Sequence, residues 1–210
     1  MTIIQELSET RPVFHAEADF QLELGLLLSK KGFNVRLEKA FNSISIYSKI
    51  ELDIELDNSI AIELKYKTQL FNTTIGDEAF ELKLHGAANL GRFDALDDAR
   101  RVSLLTKSPT TRIKRGFTVF LTNDVYYWQY NAGGSMSEEF SLIQGRELNA
   151  GDSLNWVGQS INPNSISKKR MNPYAPIAVE FNETVSWHVY SHFEEKRNGL
   201  FKFFVLDVNN

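Results

Sequence analysis

Asp53, Glu63 and Lys65 carry the strongest chemical signal in the chain. Each lies in a stretch where apolar and charged residues alternate, the period-two pattern of a half-buried strand. In Lys49–Leu56, Ile50, Leu52, Ile54 and Leu56 alternate with Glu51, Asp53 and Glu55. In Ile60–Lys67, Ile60, Ile62 and Leu64 alternate with Ala61, Glu63 and Lys65. Slipping a strand by one residue turns all its side chains over, so apolar-to-apolar pairing requires facing numbers with an even sum. The shortest loop that satisfies this is Asp57-Asn58-Ser59, three turn-forming residues. It pairs Leu56 with Ile60, Ile54 with Ile62 and Leu52 with Leu64. On the other face it sets Asp53 opposite Glu63, and Glu51 opposite Lys65. Facing side chains begin about 5 Å apart at Cβ, and like charges there weaken a sheet. Two carboxylates so placed are either part of a solvated acidic face or half of a site for a hard divalent cation, which takes oxygen ligands. Lys65 shares the face of Glu63 and is within reach of the same reacting centre.

A helix must pack on these strands. The span Val13–Lys31, stopped by Gly32, carries an apolar stripe of Val13, Phe14, Phe20, Leu24, Leu27 and Leu28. Glu17 lies near the middle of that stripe, and Gln21 sits one turn further along the same side. A carboxylate buried there unpaired costs several kcal/mol or takes up a proton. Either the first turn projects past the sheet and leaves Glu17 in water, or Glu17 reaches the rim of the Asp53–Glu63 site with Gln21 supporting it.

The remaining elements follow from pattern. A strand is expected over Phe33–Glu38, a loop over the site within Thr68–Gly91, and a second helix over Phe93–Lys107, ending before Pro109. Gly116–Thr122 is an apolar run suited to a strand covered on both faces, and Val125–Tyr130 reads as another strand. The order is α-β-β-β-α-β, which points to an α/β fold with a mixed (α+β) sheet. Asn131-Ala132-Gly133-Gly134 and Asn162-Pro163-Asn164 mark turns, and Leu200–Val208 a last strand. Residues 1–210 are read as a single domain, with a core over 13–130 and a β-rich C-terminal elaboration over 131–210.

Composition narrows the function classes. With 210 residues, 42% hydrophobic and 24% charged, the chain can bury a sizeable core without staples. It has no cysteine, which excludes disulfides, thiolate nucleophiles and zinc–thiolate sites. The N-terminal Met1-Thr2-Ile3-Ile4-Gln5-Glu6 lacks the layout of a secretory signal, and no stretch has the length and apolarity of a membrane span. A cytoplasmic protein with no membrane partner is expected. The net charge of −4 argues against a protein that coats nucleic acid nonspecifically, but not against an enzyme with local positive patches.

Asp53, nine intervening residues and then Glu63-Leu64-Lys65 resemble the PD-(D/E)xK signature of the restriction-endonuclease-like nuclease superfamily. Leu52 stands where the signature's name has proline. The helix bearing Glu17, together with the helix and strand that follow the hairpin, resembles that superfamily's core over roughly Phe14–Thr122. His15–Gln21, Ile60–Lys67 and Gly116–Asp124 are similar to bacterial members. The resemblance implies a metal-dependent endonuclease acting on nucleic acid, with DNA the expected substrate, in a restriction, defence or mobile-element setting. It implies that Asp53, Glu63 and the main-chain carbonyl of Leu64 hold Mg2+ or Mn2+, with Glu17 a further ligand. Lys65 then orients water or stabilises charge on the phosphate, so Asp53, Glu63, Lys65 and Glu17 are the catalytic set.

Other residues offer weaker leads. Arg112, Lys114 and Arg115, and Lys168, Lys169 and Arg170, are the best candidates for phosphate contacts, although short basic runs are often only solvated. Arg92, Asp94, Asp97, Arg100 and Arg101 read as surface pairs along the second helix, unless some face the edge of the site. His188 and His192 lack a third ligand, His15 reads as a bystander near Glu17, and Trp128, Trp156 and Trp187 read as core. No Gly-rich phosphate loop is present. A homodimer is compatible with these features. The alternative to an enzyme is a nucleic-acid-binding or protein-interaction module that keeps the fold without cleaving.

Overall fold

The computed structural model describes residues 2–129, 135–157 and 176–209. Among the described residues the chain forms three α-helices, a mixed six-stranded sheet and three two-stranded ladders. Helix α1 (Ile3–Thr10) has no counterpart in the sequence expectations, yet its start is written in Thr2-x-x-Gln5. The Thr2 hydroxyl accepts the Gln5 N–H at 3.2 Å, and the Gln5 side chain accepts the Thr2 N–H at 2.9 Å. This reciprocal box satisfies two donors that a helix start leaves open. Helix α2 (Glu17–Lys30) begins four residues later than expected, because Val13 and Phe14 are buried ahead of it rather than as its first turn. It stops at Gly32, whose φ of +93° is the left-handed conformation that glycine takes without strain.

Strands β1 (Val35–Ile44), β2 (Tyr47–Leu56) and β3 (Ile60–Lys67) form an antiparallel meander. Next comes the hairpin β4 (Phe71–Ile75) and β5 (Glu78–Leu82), where only a loop was expected. Helix α3 (Ala88–Lys107) crosses to β6 (Arg115–Thr122), which runs parallel to β3 with Glu63 beside Thr118. The expected α-β-β-β-α-β order is present, with β4–β5 inserted before α3. Short strands β7 (Glu147–Leu148), β8 (Ser153–Leu154), β9 (Ile177–Ala178) and β10 (Glu183–Thr184) follow, then β11 (His188–His192) and β12 (Leu200–Asp207). The main sheet has the order β1-β2-β3-β6-β12-β11.

Over the described part of the expected Val125–Tyr130 strand, residues 125–129, no strand forms. Val125–Tyr127 forms a 3-10 turn, with the Asp124 carboxylate accepting the Tyr126 N–H at 3.1 Å and the Asp124 carbonyl accepting the Tyr127 N–H at 3.1 Å. A short acidic side chain bonding its own backbone competes with strand pairing. The turn clusters at 131–134 and 162–164 lie outside the described residues.

The sheet is buried on both faces. Phe20, Leu24 and Leu28 of α2 pack with Ile54, Leu56, Ile62, Leu64, Val119 and Leu121. Phe93, Leu96, Ala99, Val102 and Leu105 of α3 pack with Ala61, Phe120 and Phe204, and with Phe140, Trp156 and Trp187 from the later chain. Ile50 and Leu52 join the α3 side, although Ile54 and Leu56 lie on the α2 side. All four are even-numbered, so β2 changes face between Leu52 and Ile54, at Asp53. Across from it on β1, Glu38 has φ +53°, between the pairs Lys39↔Leu52 and Leu37↔Ile54. Pairing of β2 with β3 runs from Leu56↔Ile60 to Ile54↔Ile62 and stops there. The expected ladder pairs Asp53–Glu63, Leu52–Leu64 and Glu51–Lys65 therefore do not form, and Glu51 is exposed beside Lys49. No described helix is long and apolar enough to cross a membrane.

Candidate functional site

The site grows from the place where β2 and β3 part. Asp53 Oδ2 accepts the Leu64 N–H at 2.6 Å, so a side chain takes the place of a missing ladder bond. The carboxyl groups of Asp53 and Glu63 lie close enough to act on each other's ionisation. Glu63 is only 3% exposed. Burial pushes its pKa well above the ordinary glutamate range, and the charges of Asp98 and Asp53 add to this against the pull of Arg101. Burial also raises Asp53, with the Leu64 N–H and the neighbouring Glu63 carboxyl working the other way.

Glu17 reaches this strand from the start of α2. Its Oε2 accepts the Tyr66 N–H at 2.6 Å and its Oε1 lies 4.0 Å from Lys65 Nζ. Gln21, buried one turn later, donates through Nε2 to the Asp53 carbonyl at 2.8 Å and to Glu38 Oε1 at 2.7 Å. It thereby fixes the backbone where β2 changes face. Its partner Glu38 stays exposed and carried no sequence signal, because the strand irregularity at its positive φ was not foreseeable.

Lys65 Nζ lies 3.0 Å from Asp98 Oδ2. Burial disfavours the ammonium charge, but Asp98 and Glu17 outweigh it and hold the pKa above that of an ordinary lysine. Asp98 Oδ1 in turn accepts from Arg101 Nη2 at 2.5 Å, and the same nitrogen donates to Glu63 Oε1 at 3.1 Å. Asp98 was missed in the sequence, although it lies on the stripe Ala95, Val102, Leu105 of α3 as Glu17 lies on that of α2. The same test for a charge within an apolar face would have found it.

Of the α3 charges, Arg100 makes the expected i,i+3 pair with Asp97 and Arg101 faces the site, but they are less exposed than surface pairs. Arg92, Asp98 and Arg100 are buried. Arg92 donates to the Tyr126 carbonyl at 2.6 Å, and Arg100 bonds Asp97 and donates to the Tyr47 hydroxyl at 2.9 Å. The helix lies against the sheet closely enough that these polar positions find partners on neighbouring elements. His15 is not at the site: its Nε2 meets Glu78 at 2.8 Å and its ring stacks on Phe80. His85, unremarked in the sequence, accepts the Thr68 N–H through Nδ1 at 3.2 Å, just beyond the site end of β3. Trp156 and Trp187 are buried, and Trp128 packs against the same core.

The basic candidates stand apart from the site. Arg112, Lys114 and Arg115 are exposed beside the Asp57–Ser59 turn, with the Lys114 and Arg115 N–H groups donating to the Ser59 carbonyl at 2.7 and 3.2 Å. Arg115 pairs with Asp207 at 2.9 Å. By register it shares the sheet face of Ile60 and Ile62, opposite that of Glu63 and Lys65. Lys168, Lys169 and Arg170 lie outside the described residues.

A half-buried and a buried carboxylate side by side, with a third acid reaching the same strand, are a donor set that suits a hard divalent cation. Among the described residues no three His, Asp or Glu side chains are yet gathered as a metal-binding group. Glu17 is engaged by the Tyr66 N–H and Glu63 by Arg101. No protein family, curated protein or solved structure matches the chain.

Proposed function

We propose that the chain is a divalent-metal-dependent endonuclease that hydrolyses phosphodiester bonds, in DNA first of all, through a restriction-endonuclease-like core. The observation that carries this reading is the Asp53 carboxylate held on the Leu64 N–H, next to Glu63, where β2 and β3 separate, with Lys65 and Glu17 brought to the same strand. The meander β1–β3 followed by α3 and the parallel strand β6 supports it. Asp53 and Glu63, with the Leu64 carbonyl and Glu17, would hold Mg2+ or Mn2+, which when bound supplies an acidified water and polarises the phosphate. To serve as ligands Asp53 and Glu63 must both be ionised, which burial opposes. Gln21 holds the Asp53 backbone in place. Lys65, kept charged by Asp98, orients the attacking water or stabilises charge developing on the phosphate oxygens. A restriction, defence or mobile-element role fits such an activity.

The test is incubation of pure protein with single- and double-stranded DNA and RNA, in Mg2+, in Mn2+ and in chelator. Cleavage is expected only with metal, and Asp53→Ala, Glu63→Ala and Lys65→Ala should abolish it while circular dichroism stays native. A Lys65→Ala protein that cuts at the parental rate contradicts the mechanism. Binding without cleavage in every ion would favour a non-catalytic nucleic-acid-binding module.

A further inference from the structure

The guanidinium of Arg101 is used at one corner only. Nη2 makes both of its contacts, to Glu63 and Asp98, while Nε is buried without any partner. A guanidinium presents five donors in a rigid fork suited to two oxygens of one phosphate or carboxylate. The side chain as a whole remains 25% exposed, although Nε itself is covered. It lies beside Glu63, the buried one of the two acids that must ionise for the site to hold a cation. A cation on Glu63 and a guanidinium on the same carboxylate repel each other and compete for its oxygens.

We propose that Arg101 is a phosphate ligand held in reserve, occupying Glu63 until that carboxylate takes a divalent ion and then offering its fork to a substrate phosphodiester. The inference rests on the reading of Asp53, Glu63 and Glu17 as a metal centre. Asp98 acts as the pivot. It keeps Lys65 and Arg101 side by side, so that Arg101, on losing Glu63, remains tethered next to the catalytic lysine. Two cations then face the phosphate, one as a point charge and one as a planar fork. This also accounts for the absence of a gathered metal-binding group among the described residues: Glu63 is turned to Arg101.

The test uses the full chain and two probes: Mn2+ alone, followed by its paramagnetic resonance signal, and a labelled DNA duplex in calcium, which takes the same oxygen ligands. Arg101→Gln removes the competitor for Glu63 and should bind Mn2+ about tenfold more tightly, the equivalent of one charge-assisted hydrogen bond. It should bind the duplex several-fold more weakly. Arg101→Lys keeps the charge but not the fork; its Mn2+ affinity should stay near that of the parent while duplex affinity falls. Melting curves establish that each variant folds. A purely structural arginine would lower both affinities together. Mn2+ binding by Arg101→Gln that is equal to or weaker than the parent's overturns the competition, and unchanged duplex affinity in both variants overturns the phosphate role. A parent that binds no Mn2+ overturns the metal-centre reading itself, a result distinct from either of these.

Discussion

Asp53 accepts the Leu64 N–H with one oxygen and lies half-buried beside the buried Glu63, and desolvation makes both acids resist ionisation. Each has a folded-state pKa above its unfolded value, so the native state binds more protons than the unfolded chain. The stability this contributes is fully present below the ordinary carboxylate range, about pH 4, and is lost as pH rises through the raised values. In chelator, denaturant midpoints should therefore fall as pH climbs above that range, and a flat profile would count against the raised carboxyl pKa values. Asp98 supports the charge on Lys65, which burial opposes. Asp98→Asn should lower the Lys65 pKa and pull the alkaline limb of the cleavage pH profile to lower pH, as rate measurements across pH would detect. Glu17 and Asp98 illustrate how far residues could be read in advance. Each is a carboxylate on an apolar helical stripe, but only Glu17 was recognised, because Asp98 sits among neighbouring charges that look like ordinary surface pairs.

Between elements, the hairpin turn and its first pairs were legible, since alternation leaves only one parity for β2 against β3. The change of face at Asp53 was not. It depends on a backbone irregularity shared with Glu38 of β1, and alternation in β2 continues through it unbroken. The position of α3, which delivers Asp98 and Arg101, is set by close approach to β6. A Cβ on Gly116 would lie 2.3 Å from Val102 Cγ1 and 2.9 Å from Val208 Cγ2. Valine is stiff on a helix and yields little, so Gly116→Ala should push α3 off the sheet and destabilise the fold by about 1–3 kcal/mol. Urea denaturation measures this, and an unchanged midpoint would show that α3 is less tightly fixed than its packing indicates.

Across the whole molecule, a net charge of −4 coexists with a centre in which Lys65 and Arg101 are bracketed by Glu17, Glu63 and Asp98. The central claim is that Asp53 and Glu63 are ligands waiting for a cation, and it can be tested without knowing the substrate. Thermal unfolding of the parent and of Asp53→Asn at neutral pH, in chelator and in Mn2+, does so most directly. An asparagine can accept the Leu64 N–H and donate to an ionised Glu63, so it relieves the acid pair without changing its shape. Ion binding to the folded parent alone contributes RT ln(1 + [L]/Kd), about 2.7 kcal/mol at a hundredfold excess over Kd. In a domain of this size that raises the melting temperature by several degrees. The account predicts that Asp53→Asn melts above the parent in chelator and loses most of the Mn2+ shift. A variant that melts no higher than the parent in chelator and keeps the full shift would contradict it.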